Sequence, residues 1–293
     1  YVVDNSGDRI EEAANAGHDL VKSSVSYLLA DHVEDLNLSG TANSDGTGNA
    51  GQNQLVGNNG ANRLDGGQGR DCMVGGLGDD SYVADNTGDI TWENANAGVD
   101  SVDSSIAWTL QANTENLALT GTAAINGSGN ADANLLRGNA ASNTLTGNAG
   151  NDTLDGKAGT DILIGGTGSD TYLLGAGYGS DTIRENDATA GNADAARFLT
   201  GISADQIWLR HVGNNLEAGI IGSTDTLTLE NWYLGSAYHV EQFKTADGRL
   251  LLDTQVENLV QAMAAFAPPA AGQTTLPPTY QDALAPVIAA NWQ

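Results

Sequence analysis

Residues 147–155, 156–164 and 165–173 read GNAGNDTLD, GKAGTDILI and GGTGSDTYL, three nine-residue units end to end. Each has Gly at positions 1 and 4, Asp at position 6 and a large side chain at position 8. The aspartates are Asp152, Asp161 and Asp170, and the large side chains are Leu154, Leu163 and Tyr172. Glycine permits backbone angles that a Cβ forbids, so the first six residues suit a tight turn. The last three fit a short strand whose middle side chain points inward. A chain that turns and extends once per nonapeptide returns to the same side after two of them. The product is a coil with two strands, stacked on its neighbours at about 4.8 Å. Aspartates two units apart then lie above one another and repel unless a cation sits between them. Carboxylates with exposed turn carbonyls form an oxygen-only donor set, which suits Ca2+ rather than Zn2+.

Two further units, at 66–74 and 75–83, repeat the pattern. The unit resembles the calcium-binding nonapeptide of the RTX proteins. The resemblance implies an all-β fold: a parallel β-roll or β-solenoid of calcium-binding nonapeptides, capped by a small β domain and a short C-terminal helical tail.

The balance of charge agrees with cation binding. The chain has 293 residues, 37 Asp and Glu against 11 Lys and Arg, and a net charge of −26. Nucleic acid and anionic membrane surfaces both need basic patches, so neither is an expected partner. High acidity alone marks a solvated or disordered chain, but here the Asp is periodic and interleaved with apolar residues. Cys72 is the only cysteine, so there is no internal disulfide. No apolar run reaches the ~20 residues of a membrane span.

A longer period overlies the short one. YVVDNSGD at 1–8 recurs as YVADNTGD at 82–89, an offset of 81 residues, and the next Tyr start, Tyr172, comes 90 residues after Tyr82. The difference is one nonapeptide, which marks the nine-residue unit as the structural quantum. The chain opens inside such a repeat at Tyr1, so it is expected to be the end of a longer protein. Each nonapeptide tract begins with Asn at position 6 (Asn53, Asn62; Asn134, Asn143) and switches to Asp (Asp71, Asp80; Asp152, Asp161, Asp170). The Asn turns read as a metal-free ladder in which stacked Asn side chains pair, and the Asp turns as metal sites.

Counting eighteen residues pairs Asp152 with Asp170 and Asp71 with Asp89. Asp80 and Asp161 would meet glycines, but Asp100 and Asp181 lie two residues further on in both cases. One bulge repeated in both long units accounts for this, and the solenoid is expected to continue past each tract. The resemblance then implies the ligand sets. One is Asn148, Gly150, Asp152, Gly165, Thr167 and Asp170. Another is Gly67, Gly69, Asp71, Ala84, Asn86 and Asp89. The slipped pairs give Gly76, Gly78 and Asp80 with Asp100, and Lys157 (by its carbonyl), Gly159 and Asp161 with Asp181. Aspartate also caps turns, which is the competing reading at each of these positions.

Segments 23–29, 36–38, 106–110 and 117–119 alternate apolar and polar residues and read as strands. Residues 9–16 and their copy 90–97 read as irregular. From about residue 194 the pattern changes: 207–210, 216–221, 226–229, 240–243 and 250–252 read as strands, with a hairpin at Gly213-Asn-Asn. This region resembles the small β domain that closes many RTX tracts. Trp208, Trp232 and Tyr233 read as core rather than as a sugar platform. Val256, Leu259, Val260, Met263 and Phe266 recur at helical spacing, followed by a Pro-rich linker and an apolar tail from Tyr280 to Gln293. The tail resembles the uncleaved secretion signal of type I exported proteins. The sequence thus divides into a first long unit (1–81), a second (82–171), the solenoid end with its cap (172–254), and the helix, linker and signal (255–293).

No His-Glu-x-x-His, Gly-x-Ser-x-Gly or P-loop occurs, and the four His are scattered, so the chain is not expected to be an enzyme. The resemblance implies a bacterial secreted, extracellular protein that binds several Ca2+ ions and is handed to the type I secretion machinery by its tail. Three function classes follow. One is a structural, adhesive or self-assembling surface exoprotein such as an adhesin or surface-layer protein, favoured by the long repeats. The second is the export and folding module of a secreted lipase or protease. The third is the repeat region of a toxin.

Overall fold

A computed structural model describes all residues, 1–293. The chain forms two compact units, Tyr1–Asn134 and Leu135–Gln293. Both are all-β parallel solenoids built from strands of two to six residues, and the second adds two helices.

In the first unit one parallel sheet runs through Val2–Val3, Leu20–Ser23, Asp35–Leu38, Gln54–Val56, Cys72–Val74 and Ile90–Trp92. A second runs through Tyr27–Leu28, Gly46–Thr47, Arg63–Asp65, Ser81–Ala84, Ser101–Ser104 and Asn116–Leu119. Within the nonapeptides the register advances by one coil at a time: Leu55 pairs with Met73, and Leu64 with Tyr82. These position-8 side chains are fully buried. Each stacks on its equivalent one coil away, so the core is a pair of apolar ladders between the sheets. That geometry follows from the period-2 alternation of a strand with one face buried.

The linking segments continue the same coil at altered length. Tyr82 pairs with Val102, and Val102 with Leu117. A long coil is thus followed by a short one. Ser23 and Ser104 make the difference at the corner. Each is fully buried, and its hydroxyl donates to the carbonyl two residues on, Val25 at 2.7 Å and Ile106 at 2.8 Å. The expected strand over 23–29 is therefore broken into Leu20–Ser23 and Tyr27–Leu28 by a hydroxyl-stabilised bend. The segment expected to be irregular, 90–97, begins with a true strand, Ile90–Trp92, paired to Cys72–Val74. Its β-branched and aromatic residues suit a pleated surface, and the preceding coil offers it an open edge.

In the second unit one sheet joins Leu135–Arg137, Thr153–Asp155, Thr171–Leu174, Ala195–Phe198, Gln242–Lys244 and Leu250–Leu252. The other joins Thr144–Ala149, Ile162–Thr167, Ser180–Ile183, Thr226–Leu229, Asn215–Ile220 and Ile207–Val212. The cap is not a separate body. Thr226–Leu229 adds in parallel to Ser180–Ile183, and Gln242–Lys244 adds in parallel to Ala195–Phe198. Only then does each sheet turn antiparallel, through the hairpin Ile207–Val212 with Asn215–Ile220 and through Leu250–Leu252. The hairpin turns at Gly213, whose φ of 63° suits the sharp reversal. Phe198, Phe243, Trp208 and Trp232 are buried, so the two tryptophans are core.

Helix α1 spans Asp253–Met263 and helix α2 spans Pro278–Asn291. Val256, Leu259, Val260 and Met263 of α1 are buried, as are Leu284 and Ile288 of α2 and Trp292 beyond it. Phe266 falls past the end of α1 and packs on Tyr280, their ring centroids 4.5 Å apart. The tail is tied down at its last residue, where Gln293 and Leu250 exchange two backbone hydrogen bonds.

Candidate metal centres

The position-6 side chains are held by backbone amides. The Asp152 N–H donates to Asp170 Oδ1 at 2.8 Å and that of Asp80 to Asp100 Oδ1 at 2.7 Å. The Asp161 N–H reaches Asp181 Oδ1 at 3.0 Å, and that of Asp71 reaches Asp89 Oδ1 at 3.1 Å. All four pairs read from the sequence, the two slipped ones included, are therefore brought together. The ladder runs on beyond them: Asp170 N–H to Asp194 Oδ1 at 2.7 Å, Asp194 N–H to Glu241 at 2.7 Å, and Asp100 N–H to Glu115 at 2.7 Å.

One amide satisfies one oxygen of each carboxylate. The Oδ2 atoms of Asp71, Asp80, Asp100, Asp161, Asp170 and Asp181 are buried and accept no hydrogen bond. A buried carboxylate oxygen with neither donor nor counter-charge is strongly unfavourable, and so regular a set of them is a donor set suited to a cation. Burial pushes the carboxyls up, Asp71, Asp100 and Asp161 to about 6, Asp80 and Asp181 to about 7. Burial likewise raises Asp170.

The glycines make room for these oxygens. A Cβ on Gly165 would lie 2.1 Å from Asp170 Oδ2, and one on Gly168 only 1.7 Å from the Gly150 carbonyl oxygen. Carbonyls at Gly150, and likewise at Asn148 beneath Gly166, thus point along the stack toward the next coil. Asn148 and Lys157 adopt positive φ of 81° and 68°, conformations glycine would take more readily. Lys157 sends its ammonium outward to Asp155 at 3.1 Å, leaving its carbonyl to the turn. The residues present, carboxylates, carbonyls and cramped glycine turns, fit Ca2+.

Not every expected ligand is equally placed. The Ala84 carbonyl already accepts from Ser105 N–H at 3.0 Å and from Ser104 Oγ at 3.3 Å. Both its lone pairs are used, which leaves none for a cation. Asp89 Oδ2 accepts from Asp85 N–H and Asn86 N–H at 3.2 and 2.9 Å, and the Asn86 carbonyl accepts from Asp89 N–H at 3.0 Å. Asp89 therefore caps its own turn. Gly67, Gly69 and Asp71 lie on the facing coil and Asp71 keeps its free oxygen, so that pair is lopsided. The Thr167 carbonyl accepts from Gly150 N–H at 3.0 Å and retains one lone pair. Gly76 and Gly78 flank Asp80 with positive φ, as Gly159 flanks Asp161.

The Asn turns work differently from the expected Asn-on-Asn stacking. Asn53 Nδ2 donates to the Val33 carbonyl at 3.0 Å, and Asn62 Nδ2 to that of Ser44 at 2.7 Å. Position 2 helps. Asn49 donates to the carbonyls of Ala30 and Val33, both at 2.7 Å, and Asn58 to that of Ala42 at 3.0 Å. In these turns an amide NH2 stands among turn carbonyls where the Asp turns need a cation. Asn49 and Asn58 were missed in the sequence because position 2 was read only for its backbone carbonyl. Their signal was an Asn at position 2 wherever position 6 is Asn.

The sheet topology, the stacked carboxylates and the glycine turns together define a calcium-binding β-roll. Four stretches match the family model of the RTX calcium-binding nonapeptide repeat, at residues 47–82, 128–163, 137–172 and 147–180. Residues 215–255 match the haemolysin-type calcium binding protein related domain. The chain thus carries RTX calcium-binding nonapeptide repeats within residues 47–82 and 128–180. It is 34% identical over 91 residues to the iron-regulated protein FrpA of Neisseria meningitidis serogroup C, a match covering 30% of this chain and 8% of that protein.

Proposed function

We propose that this chain is the calcium-folded region of a type I secreted exoprotein with a structural, adhesive or self-assembling role at the cell surface, and that it has no catalytic part of its own. The observation that carries the calcium reading is the row of buried Oδ2 atoms without donors. Bound Ca2+ would supply the positive charge those oxygens lack. Without it the aspartate ladders repel and favour an unfolded chain, the form suited to passage through a secretion channel. The apolar positions of the tail, Leu284, Ile288 and Trp292, are buried in the folded unit. The secretion machinery would thus read them in the unfolded chain. A site with free calcium at ten times its Kd contributes about 1.4 kcal/mol. Four such sites give roughly 6 kcal/mol, comparable to the ~5–15 kcal/mol stability of a whole domain. The long repeats support the surface role over an enzyme's export module.

Calcium titration followed by circular dichroism and light scattering tests both levels. Cooperative gain of β signal supports the folding switch, and a concurrent rise in scattering supports self-assembly. Full β signal in a chelator at pH 8 would end the calcium reading. Folding without scattering would favour the monomeric export module.

A further inference from the structure

Two carboxylates outside the nonapeptide pattern lie at the ends of the tracts. Glu93 follows the strand Ile90–Trp92, and Glu185 follows Ser180–Ile183. One oxygen each of Asp80, Glu93 and Asp100 lies within 4.8 Å of the others, and the same holds for Asp170, Glu185 and Asp194. All six residues are at most 4% exposed.

The first cluster is unsatisfied on all three members. Asp80 Oδ2, Glu93 Oε2 and Asp100 Oδ2 accept no hydrogen bond. The other oxygen of Glu93 accepts from the Tyr82 hydroxyl, as one oxygen of Glu185 accepts from Tyr172. The phenol so fixes each glutamate beside the aspartates. Gly75 lines the same spot: a Cβ there would lie 2.2 Å from Glu93 Oε1, 2.3 Å from Asp80 Oδ2 and 2.4 Å from the Tyr82 hydroxyl. No Lys or Arg pairs with either cluster. The other sites pair two aspartates with carbonyls. Here a third carboxylate, delivered by the segment after the tract and oriented by a buried tyrosine, completes the donor set.

We infer that Glu93 completes the Asp80–Asp100 pair as a tricarboxylate cation site, that Asp170, Glu185 and Asp194 form an equivalent one, and that both fill before the pairs that lack a third carboxylate. Calcium affinity rises with the number of charged ligands and the rigidity of the site. A hard cation, calcium or a lanthanide, is therefore held most tightly at the end of each tract, where the coil lengthens. This rests on the calcium reading above.

The test is calorimetric titration of the whole chain with CaCl2, comparing wild type with the double variant Glu93→Gln and Glu185→Gln. Glutamine keeps an acceptor for the tyrosine and removes the charge. The expected result is a loss of two ions, or at least a tenfold weakening of the tightest class, with the weaker sites unchanged. Wild-type binding with an unaltered variant would overturn the inference and leave the calcium reading intact. No binding by wild type would overturn both. A second measurement needs no variant: anomalous scattering from terbium-grown crystals should place an ion within about 2.6 Å of a Glu93 carboxylate oxygen. An ion bound by Asp80 and Asp100 alone would refute the assignment.

Discussion

At the scale of the residue, the Asp turns and the Asn turns solve one electrostatic problem in two ways. Both gather carbonyl oxygens at the turn, and oxygen dipoles pointing at one another need a positive partner. In the Asn turns the partner is an amide NH2 of the chain itself, as at Asn58, which reaches Ala42 O at 3.0 Å and Ser44 Oγ at 3.1 Å. Asn58→Ala should therefore destabilise the fold by about 1–3 kcal/mol, the penalty for buried acceptors left unpaired. That loss should be the same at every saturating calcium concentration, as read from urea midpoints. In the Asp turns the partner must be supplied, and glycine leaves space for the carboxylate. Gly165→Ala would drive a Cβ to 2.1 Å from Asp170 Oδ2. We expect it to weaken calcium binding at Asp152 and Asp170 by at least tenfold, measured by titration calorimetry, with the sites of the first unit untouched.

At the scale of the element, the nine-residue quantum decides what the chain tolerates. A nonapeptide is half a coil, and the 81-residue repeat spans an odd number of half-coils, which places its copies on opposite sides. Val2–Val3 and Ser81–Ala84 accordingly fall in different sheets of the first unit. Deleting residues 156–164 should preserve the calcium-induced β signal, because every later strand keeps its inward side chain. Deleting residues 156–159 alone should abolish it in the second unit, because the five residues left are too few to close a half-coil and the strands that follow lose their register on the coil beneath. Circular dichroism with and without calcium distinguishes the two.

The same quantum explains how much could be read from the sequence. The ladder of Leu154, Leu163 and Tyr172, the slipped partners Asp100 and Asp181, and the hairpin at Gly213 were all legible, since each depends on counting or on local turn chemistry. The strand Ile90–Trp92 was not, because its copy at 9–11 has the composition of a helix and no strand forms there. The bends after Ser23 and Ser104 were hidden because a buried serine hydroxyl bonding two residues ahead leaves no mark on hydrophobic alternation. Glu93 lies outside every nonapeptide. Its one trace was the recurrence of Glu12 at the same 81-residue offset as Tyr1 and Tyr82. The chain also pairs Tyr1 with Glu12, but there the tyrosine is exposed.

At the scale of the whole molecule, protons and calcium compete for one set of oxygens, with opposite consequences for the two forms of the chain. In the metal-free fold, burial raises Asp71, Asp100 and Asp161 to about 6, and Asp80, Asp181 and Asp194 to about 7, against an ordinary value of 3.8. The folded chain thus holds protons that the unfolded chain has released. The stability these groups contribute is fully present below the unfolded value, near pH 4, and is lost as pH rises through 6 to 7. Chelated protein should accordingly be unfolded at pH 8 and regain β signal by pH 5, without metal. With calcium bound the sign reverses. The ligands must be ionised, so apparent affinity should fall as pH drops through the same range. A pair of circular dichroism series in chelator and in saturating calcium, from pH 8 to pH 5, should therefore converge at the acidic end and diverge at the basic end. Parallel curves would mean that the buried carboxylates do not govern the fold, and the calcium switch would lose its physical basis.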